Sequence, residues 1–213
     1  YDSDDLSKKP VRIDSSPSEI MPGVSWIDDD VFLFSTRQQV RDIIEGFNQG
    51  VYEYQNVKYD SSKKNPLGRI RQDFFSVEEV LPQKKNKIII SSSEDVSDRA
   101  GTNTTRFRPR SYWEYDLKTN RRKMLMRGKL SMGRVSFNSD GVATHASGFD
   151  FRTRDQTFYW RPKGTTEWRE MYRLSDDSFE RFIPIVPDPV AENHFLVLAH
   201  NGYDTLGLWS FNA

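Results

Sequence analysis

The chain has 213 residues, long enough for one or two domains with a sizeable core, and its 31 Lys+Arg balance 31 Asp+Glu to a formal net charge of zero. A neutral chain has no global field to draw it to nucleic acid or to an anionic membrane, and no window approaches the roughly 18 consecutive apolar residues of a membrane span. Cysteine is absent, which excludes disulfides, Cys-zinc sites and thiol catalysis.

Residues 1–20 form a polar lead segment whose composition leaves it free to be disordered; residues 1–10 hold no apolar signal-peptide core. Thereafter short apolar runs alternate with turn residues. Val24-Ser25-Trp26-Ile27 leads through Asp28-Asp29-Asp30 to Val31-Phe32-Leu33-Phe34-Ser35. Residues 37–47 are the exception. There Val40, Ile43, Ile44 and Phe47 fall at i, i+3, i+4 and i+7, so the spacing predicts a short helix, with Asn48-Gln49-Gly50 as its stop.

The strand-turn-strand unit then recurs. Residues 77–81 precede the turn Pro82-Gln83-Lys84-Lys85-Asn86 and the run Lys87-Ile88-Ile89-Ile90-Ser91. Residues 134–137 precede Asn138-Ser139-Asp140-Gly141 and residues 142–147; residues 182–186 precede Pro187-Asp188-Pro189 and residues 195–199. Each copy is followed by aromatic strand material: Val51-Tyr52-Glu53-Tyr54, Tyr112-Trp113-Glu114-Tyr115, Phe158-Tyr159-Trp160 and Leu208-Trp209-Ser210-Phe211. The period is roughly 50 residues with about four strands each, as in a propeller blade.

A four-stranded sheet cannot cover both its faces alone, and stacking such sheets about an axis buries them. The expectation is therefore an all-β partial propeller of about four antiparallel blades, near residues 21–72, 73–127, 128–175 and 176–213, with one inserted helix. The last blade is expected to be incomplete, because residue 213 is reached before a fourth strand, and the chain is expected to be part of a larger ring. A β-sandwich also predicts short strands with regular turns. The recurring order of apolar hairpin and then aromatic hairpin favours the propeller.

Three stretches carry a family resemblance. Residues 23–34 hold the strand, acidic turn and strand just described. Residues 112–122 run Tyr-Trp-Glu-Tyr-Asp-Leu-Lys-Thr-Asn-Arg-Arg. Residues 159–169 and 201–209 place Tyr159-Trp160-Arg161 before Glu167-Trp168, and Asn201-Gly202 before Leu208-Trp209. In this order they resemble the N-terminal propeller region of the prolyl oligopeptidase family of serine peptidases, including its dipeptidyl-peptidase-like and acylaminoacyl-peptidase-like members. The resemblance implies a non-catalytic segment that gates and orients peptide substrates for an α/β-hydrolase domain of the same parent chain. No Gly-x-Ser-x-Gly elbow occurs here, so no catalytic residue is carried over. A stand-alone propeller that binds a protein or peptide partner is the alternative.

Candidate site residues are few. Arg106, Arg108 and Arg110 flank Phe107 and Pro109 after a long polar loop; they suit a substrate carboxylate or carbonyl, and basic-aromatic interleaving can also bind single strands. Glu45 lies beside the apolar face of the predicted helix, but it lacks the adjacent glutamate that binds a substrate amino group in some relatives. His145, His194 and His200 are expected in turns or on the surface. Asp28-Asp29-Asp30 lack the spaced ligands of a calcium loop and fit turn chemistry. Asn103-Thr104-Thr105 matches a glycosylation acceptor. The reading assigns no cofactor, no metal and no nucleic-acid partner.

Overall fold

The computed structural model describes residues 7, 13, 19–41, 51–70, 75–93, 110–128, 133–150 and 152–213. Contacts divide the chain into two compact units, Tyr1–Phe74 and Phe75–Ala213. Among the described residues the secondary structure is entirely β, in four antiparallel sheets whose strands follow one another in chain order. The architecture is that of a partial β-propeller built from meander blades.

The first unit holds one sheet: β1 (Glu19–Trp26), β2 (Val31–Arg41), β3 (Val51–Asp60) and β4 (Leu67–Arg69). Trp26, Phe32, Tyr59 and Leu67 lie directly opposite one another on the four strands, and the Phe32 ring stacks on Tyr59 at 4.8 Å. Cross-strand aromatic pairs of this kind fix the register of a sheet. The helix predicted over residues 37–47 is corrected here. Residues 37–41 continue β2, with Arg37 opposite Tyr54, Gln38 opposite Glu53 and Arg41 opposite Val51. The 3.6-residue periodicity is local, whereas pairing along β3 gives every residue of β2 except Val40 a long-range partner, and tertiary pairing overrides propensity. Residues 42–50, the rest of that prediction, lie outside the described residues, as does most of the lead segment 1–20.

The second unit holds three sheets. Sheet two is β5 (Ser76–Val80), β6 (Lys87–Ser93), β7 (Arg110–Asp116) and β8 (Arg121–Arg127). Sheet three is β9 (Arg134–Phe137), β10 (Ala143–Phe149), β11 (Gln156–Trp160) and β12 (Arg169–Leu174). Sheet four has three strands, β13 (Phe182–Pro187), β14 (His194–Ala199) and β15 (Gly207–Asn212).

Two cores hold these sheets face to face. Leu81, just after β5, and Ile89 and Tyr112 of sheet two pack with Val135, Phe137, Ala143 and Ala146 from sheet three. Phe158, Trp160, Met171 and Leu174 from sheet three pack with Phe182, Phe195, Val197 and Ala199 from sheet four. Alanines on β10 leave room for the Tyr112 ring, an alternation of large and small side chains that lets layers interdigitate at native density. Fully burying a side chain such as Ile89 or Phe195 is worth about 1.5–3 kcal/mol.

The turns follow the residues that sequence patterning marks as breaks. Asn138 Oδ1 accepts from the Asp140 and Val142 amides, Asp116 Oδ1 from Lys118 and Thr119, and Asp188 Oδ1 from Val190 and Ala191. Asp28 Oδ1 accepts from the Asp30 amide, while Asp30 accepts from the Ser61 hydroxyl. The contacts within each turn are side-chain mimics of backbone turns, whereas the Ser61–Asp30 bond joins two turns far apart in the chain. Gly141, at φ +83°, closes the β9–β10 turn over the side chains of Leu81 and Ile89.

One hydrogen bond stitches sheet two to the edge of sheet three. The buried amide of Val135 donates to the Tyr112 hydroxyl at 2.9 Å. Burial pushes the Tyr112 phenol up to about 12, so it stays protonated across the working range of pH. In Tyr112→Phe the ring packing remains but the amide loses its acceptor. Urea unfolding is expected to show a loss of about 1–3 kcal/mol, the cost of an unsatisfied buried donor. An unchanged midpoint would show that another acceptor takes over.

Candidate functional site

The described structure contains a cleft of about 260 Å³, lined by the first strands of all three sheets in the second unit. β9 and β10 form its floor, with β5 on one side and β13 on the other. Three register shifts build it. Val77 pairs with Ile90 and Glu79 with Ile89, so Glu78 is an extra residue on β5. Phe137 pairs with Ala143 and Ser136 with His145, so Thr144 is extra on β10. Val197 pairs with Pro184 and Leu196 with Val186, so Ile185 is extra on β13.

Successive residues of a regular strand point to opposite faces, and an inserted residue re-aims those beside it. All three extra residues line the cleft, each with its successor: Glu78 with Glu79, Thr144 with His145, Ile185 with Val186. The shift on β10 also divides neighbouring side chains between two cores. Ala143 and Ala146, three apart, share the core with sheet two. His145 instead meets Phe195 of sheet four edge-on, at 5.7 Å between ring centres.

The two sides of the cleft differ in chemistry. β13 contributes Ile185, Val186 and Pro187, and β9 adds Val135 and Phe137, all apolar. β5 contributes two carboxylates. Glu78 accepts from the Ser91 hydroxyl and from Arg110 Nη1, the latter at 3.2 Å, and Arg110 also donates to Ser91 Oγ at 3.2 Å. Glu79 is half-buried and makes no hydrogen bond or ion pair among the described residues. Ser136, Asn138 and Thr144 supply neutral polar groups.

His145 is 9% exposed, with its Nδ1 3.0 Å from the Thr144 hydroxyl. Burial lowers its pKa from 6.5 to about 4, so the ring is neutral at physiological pH.

Of the residues singled out in the sequence, Arg110 begins β7 and reaches Glu78, behind the cleft's acidic side. Glu45, Arg106, Arg108 and the Asn103-Thr104-Thr105 acceptor lie outside the described residues. His194 opens β14, its Nδ1 2.8 Å from the Glu192 carbonyl oxygen, and the His200 carbonyl accepts from the Tyr203 amide in the next turn. Sequence reasoning placed His145 in a turn or at the surface, and the structure buries it between sheets. It passed over Glu78 and Glu79 altogether. The signal available for them was the adjacent pair of acids inside a strand otherwise built from Val77 and Val80.

No family model matches the sequence, and no curated protein matches it. Among solved structures the chain is similar to the β-propeller domain of the Trilobed protease from Pyrococcus furiosus. That similarity has 10% identity and a TM-score of 0.46, and covers 91% of this chain and 57% of that one. It is also similar to Pyrococcus horikoshii acylaminoacyl peptidase, at 13% identity and a TM-score of 0.48, over 91% of this chain and 32% of that one. The chain thus spans less than two thirds of either structure.

The His145 environment makes stability depend on pH with a definite sign. Between pH 6.5 and 4 the unfolded chain takes up a proton that the folded chain refuses. Stability from this residue is therefore complete above 6.5 and falls as pH drops toward 4. At about 1.4 kcal/mol per unit, the loss between pH 7 and pH 4.5 is about 2–3 kcal/mol. Urea titrations at those two values should show that component in the wild type and lack it in His145→Gln. Equal acid sensitivity in both proteins would place the titration elsewhere.

Proposed function

We propose that this chain is the non-catalytic propeller segment of a serine peptidase of the prolyl oligopeptidase kind, and that the cleft between β5, β9–β10 and β13 meets the peptide substrate and orients it. The observation that carries this reading is the set of three register shifts, which bring the side chains of three sheets to one concave site. Bulges of this kind concentrate next to binding sites, where they re-aim side chains.

The residue types suit an extended peptide. Apolar side chains on β13 and β9 accept aliphatic groups, while Ser136, Asn138 and Thr144 offer hydrogen bonds that fix orientation. A volume of about 260 Å³ admits one or two side chains of an extended segment and excludes a folded domain. Contact, orientation and exclusion by size are the work of this chain; bond cleavage belongs to an α/β-hydrolase domain of the same polypeptide. The sequence motifs behind the family resemblance support this reading, since residues 23–34 and 112–122 form β-hairpins of the first and second sheets.

Fluorescence anisotropy with labelled unstructured peptides tests the cleft. Ser136→Trp fills its floor and is expected to weaken binding at least tenfold while far-UV circular dichroism is unchanged. No binding by the wild type, or equal binding by the variant, would refute the site. The peptidase assignment is tested separately by the coding sequence flanking these residues, which is expected to hold a Gly-x-Ser-x-Gly elbow followed by Asp and His. A flanking sequence without them would leave a peptide-binding scaffold.

A further inference from the structure

The geometry points to the cleft as a receptor for a lysine or arginine side chain within an extended peptide, with the methylene stem against β13 and the cationic head at Glu79. This rests on the peptide-binding reading above and adds the chemistry of what is recognised.

The cleft is amphipathic across its width. Ile185, Val186 and Pro187 form the apolar side, with Glu78 and Glu79 on the other. Among the described residues no lysine or arginine lines it. The two glutamates are not equivalent. Glu78 is neutralised by Arg110 at 3.2 Å and further held by Ser91. Glu79, drawn into the same cleft by the bulge, has no partner among the described residues. A partly buried carboxylate without a partner is free to meet a cationic group of a ligand.

The floor adds a second condition. His145 is buried and neutral, so it brings no positive charge to oppose a cation, while it and Thr144 add polarity beside the apolar side. A long cationic side chain matches this division, because lysine and arginine bury their stems on apolar surface and keep the charged head apart. A ligand that is only an ammonium group would leave Ile185 and Val186 without a partner. An acidic side chain would meet Glu79 and be repelled.

The test uses N-acetylated, labelled octapeptides that differ at one central residue: lysine, arginine, norleucine or glutamate. Acetylation removes the terminal ammonium, so any preference comes from the side chain. Anisotropy titrations should show lysine or arginine peptides binding at least tenfold tighter than norleucine, and glutamate peptides weaker still. Glu79→Gln should abolish that difference, with far-UV circular dichroism showing that the variant is folded. Raising the salt concentration from 50 to 500 mM should shrink the preference in the wild type.

If norleucine and lysine peptides bind equally well, or if Glu79→Gln keeps the preference, the cation assignment is wrong and the peptide cleft stands. If no peptide binds, the cleft reading itself fails and takes this inference with it.

Discussion

The second unit depends on the burial of one sheet face against the next. None of its sheets has an interior of its own: sheet three is apolar toward both neighbours, giving Val135 and Ala146 to one core and Phe158 and Trp160 to the other. A single small sheet leaves too much apolar surface in water to be stable, so each layer is stable only with a neighbour in place. This explains why isoleucines occupy the centre of β6 and why the residues of β10 that meet Tyr112 are small. The faces must match in volume as well as in polarity.

Register shifts occur in all four sheets. The pairings β3–β4, β6–β7, β10–β11 and β14–β15 run in regular register, whereas the first two strands of every sheet pair with a shift, as do β2–β3, β7–β8 and β11–β12. Glu78 and Ile185 lie on first strands, where one neighbour is missing and an extra residue costs little pairing, whereas Thr144 lies on β10, between β9 and β11. In the second unit the consequence is a cleft made from layers that elsewhere only pack together.

Electrostatics follows the same division. Ion pairs such as Lys87–Glu114 at 2.7 Å and Arg173–Glu170 at 2.7 Å lie at the outer surface and hold their carboxyls below the usual range, but partly exposed pairs contribute little to stability. The Glu78–Ser91–Arg110 group is different. It joins β5, β6 and β7 beside the cleft, where a carboxylate without partners would be expensive. Among the described residues it leaves Glu79 as the cleft's uncompensated charge.

By itself the sequence determined the strands, the turns and the repeat. Turn chemistry is local: Asn138, Asp116 and Asp188 cap their own turns with their own side chains, so a reading of neighbouring residues finds them. Apolar and aromatic runs likewise name the strands and imply stacked sheets. The spacing over residues 37–47 predicts a helix because its periodicity is local, while the pairing of Arg37 with Tyr54, which makes residues 37–41 strand, is not. Only the tertiary structure decided which face each side chain takes at a bulge. The insertion of Glu78, Thr144 or Ile185 is defined by the partner strand's register, and one extra residue reverses every later side chain without altering composition or spacing. The burial of His145 and the meeting of β5, β9–β10 and β13 arise from contacts between sheets far apart in the chain, which no local pattern encodes.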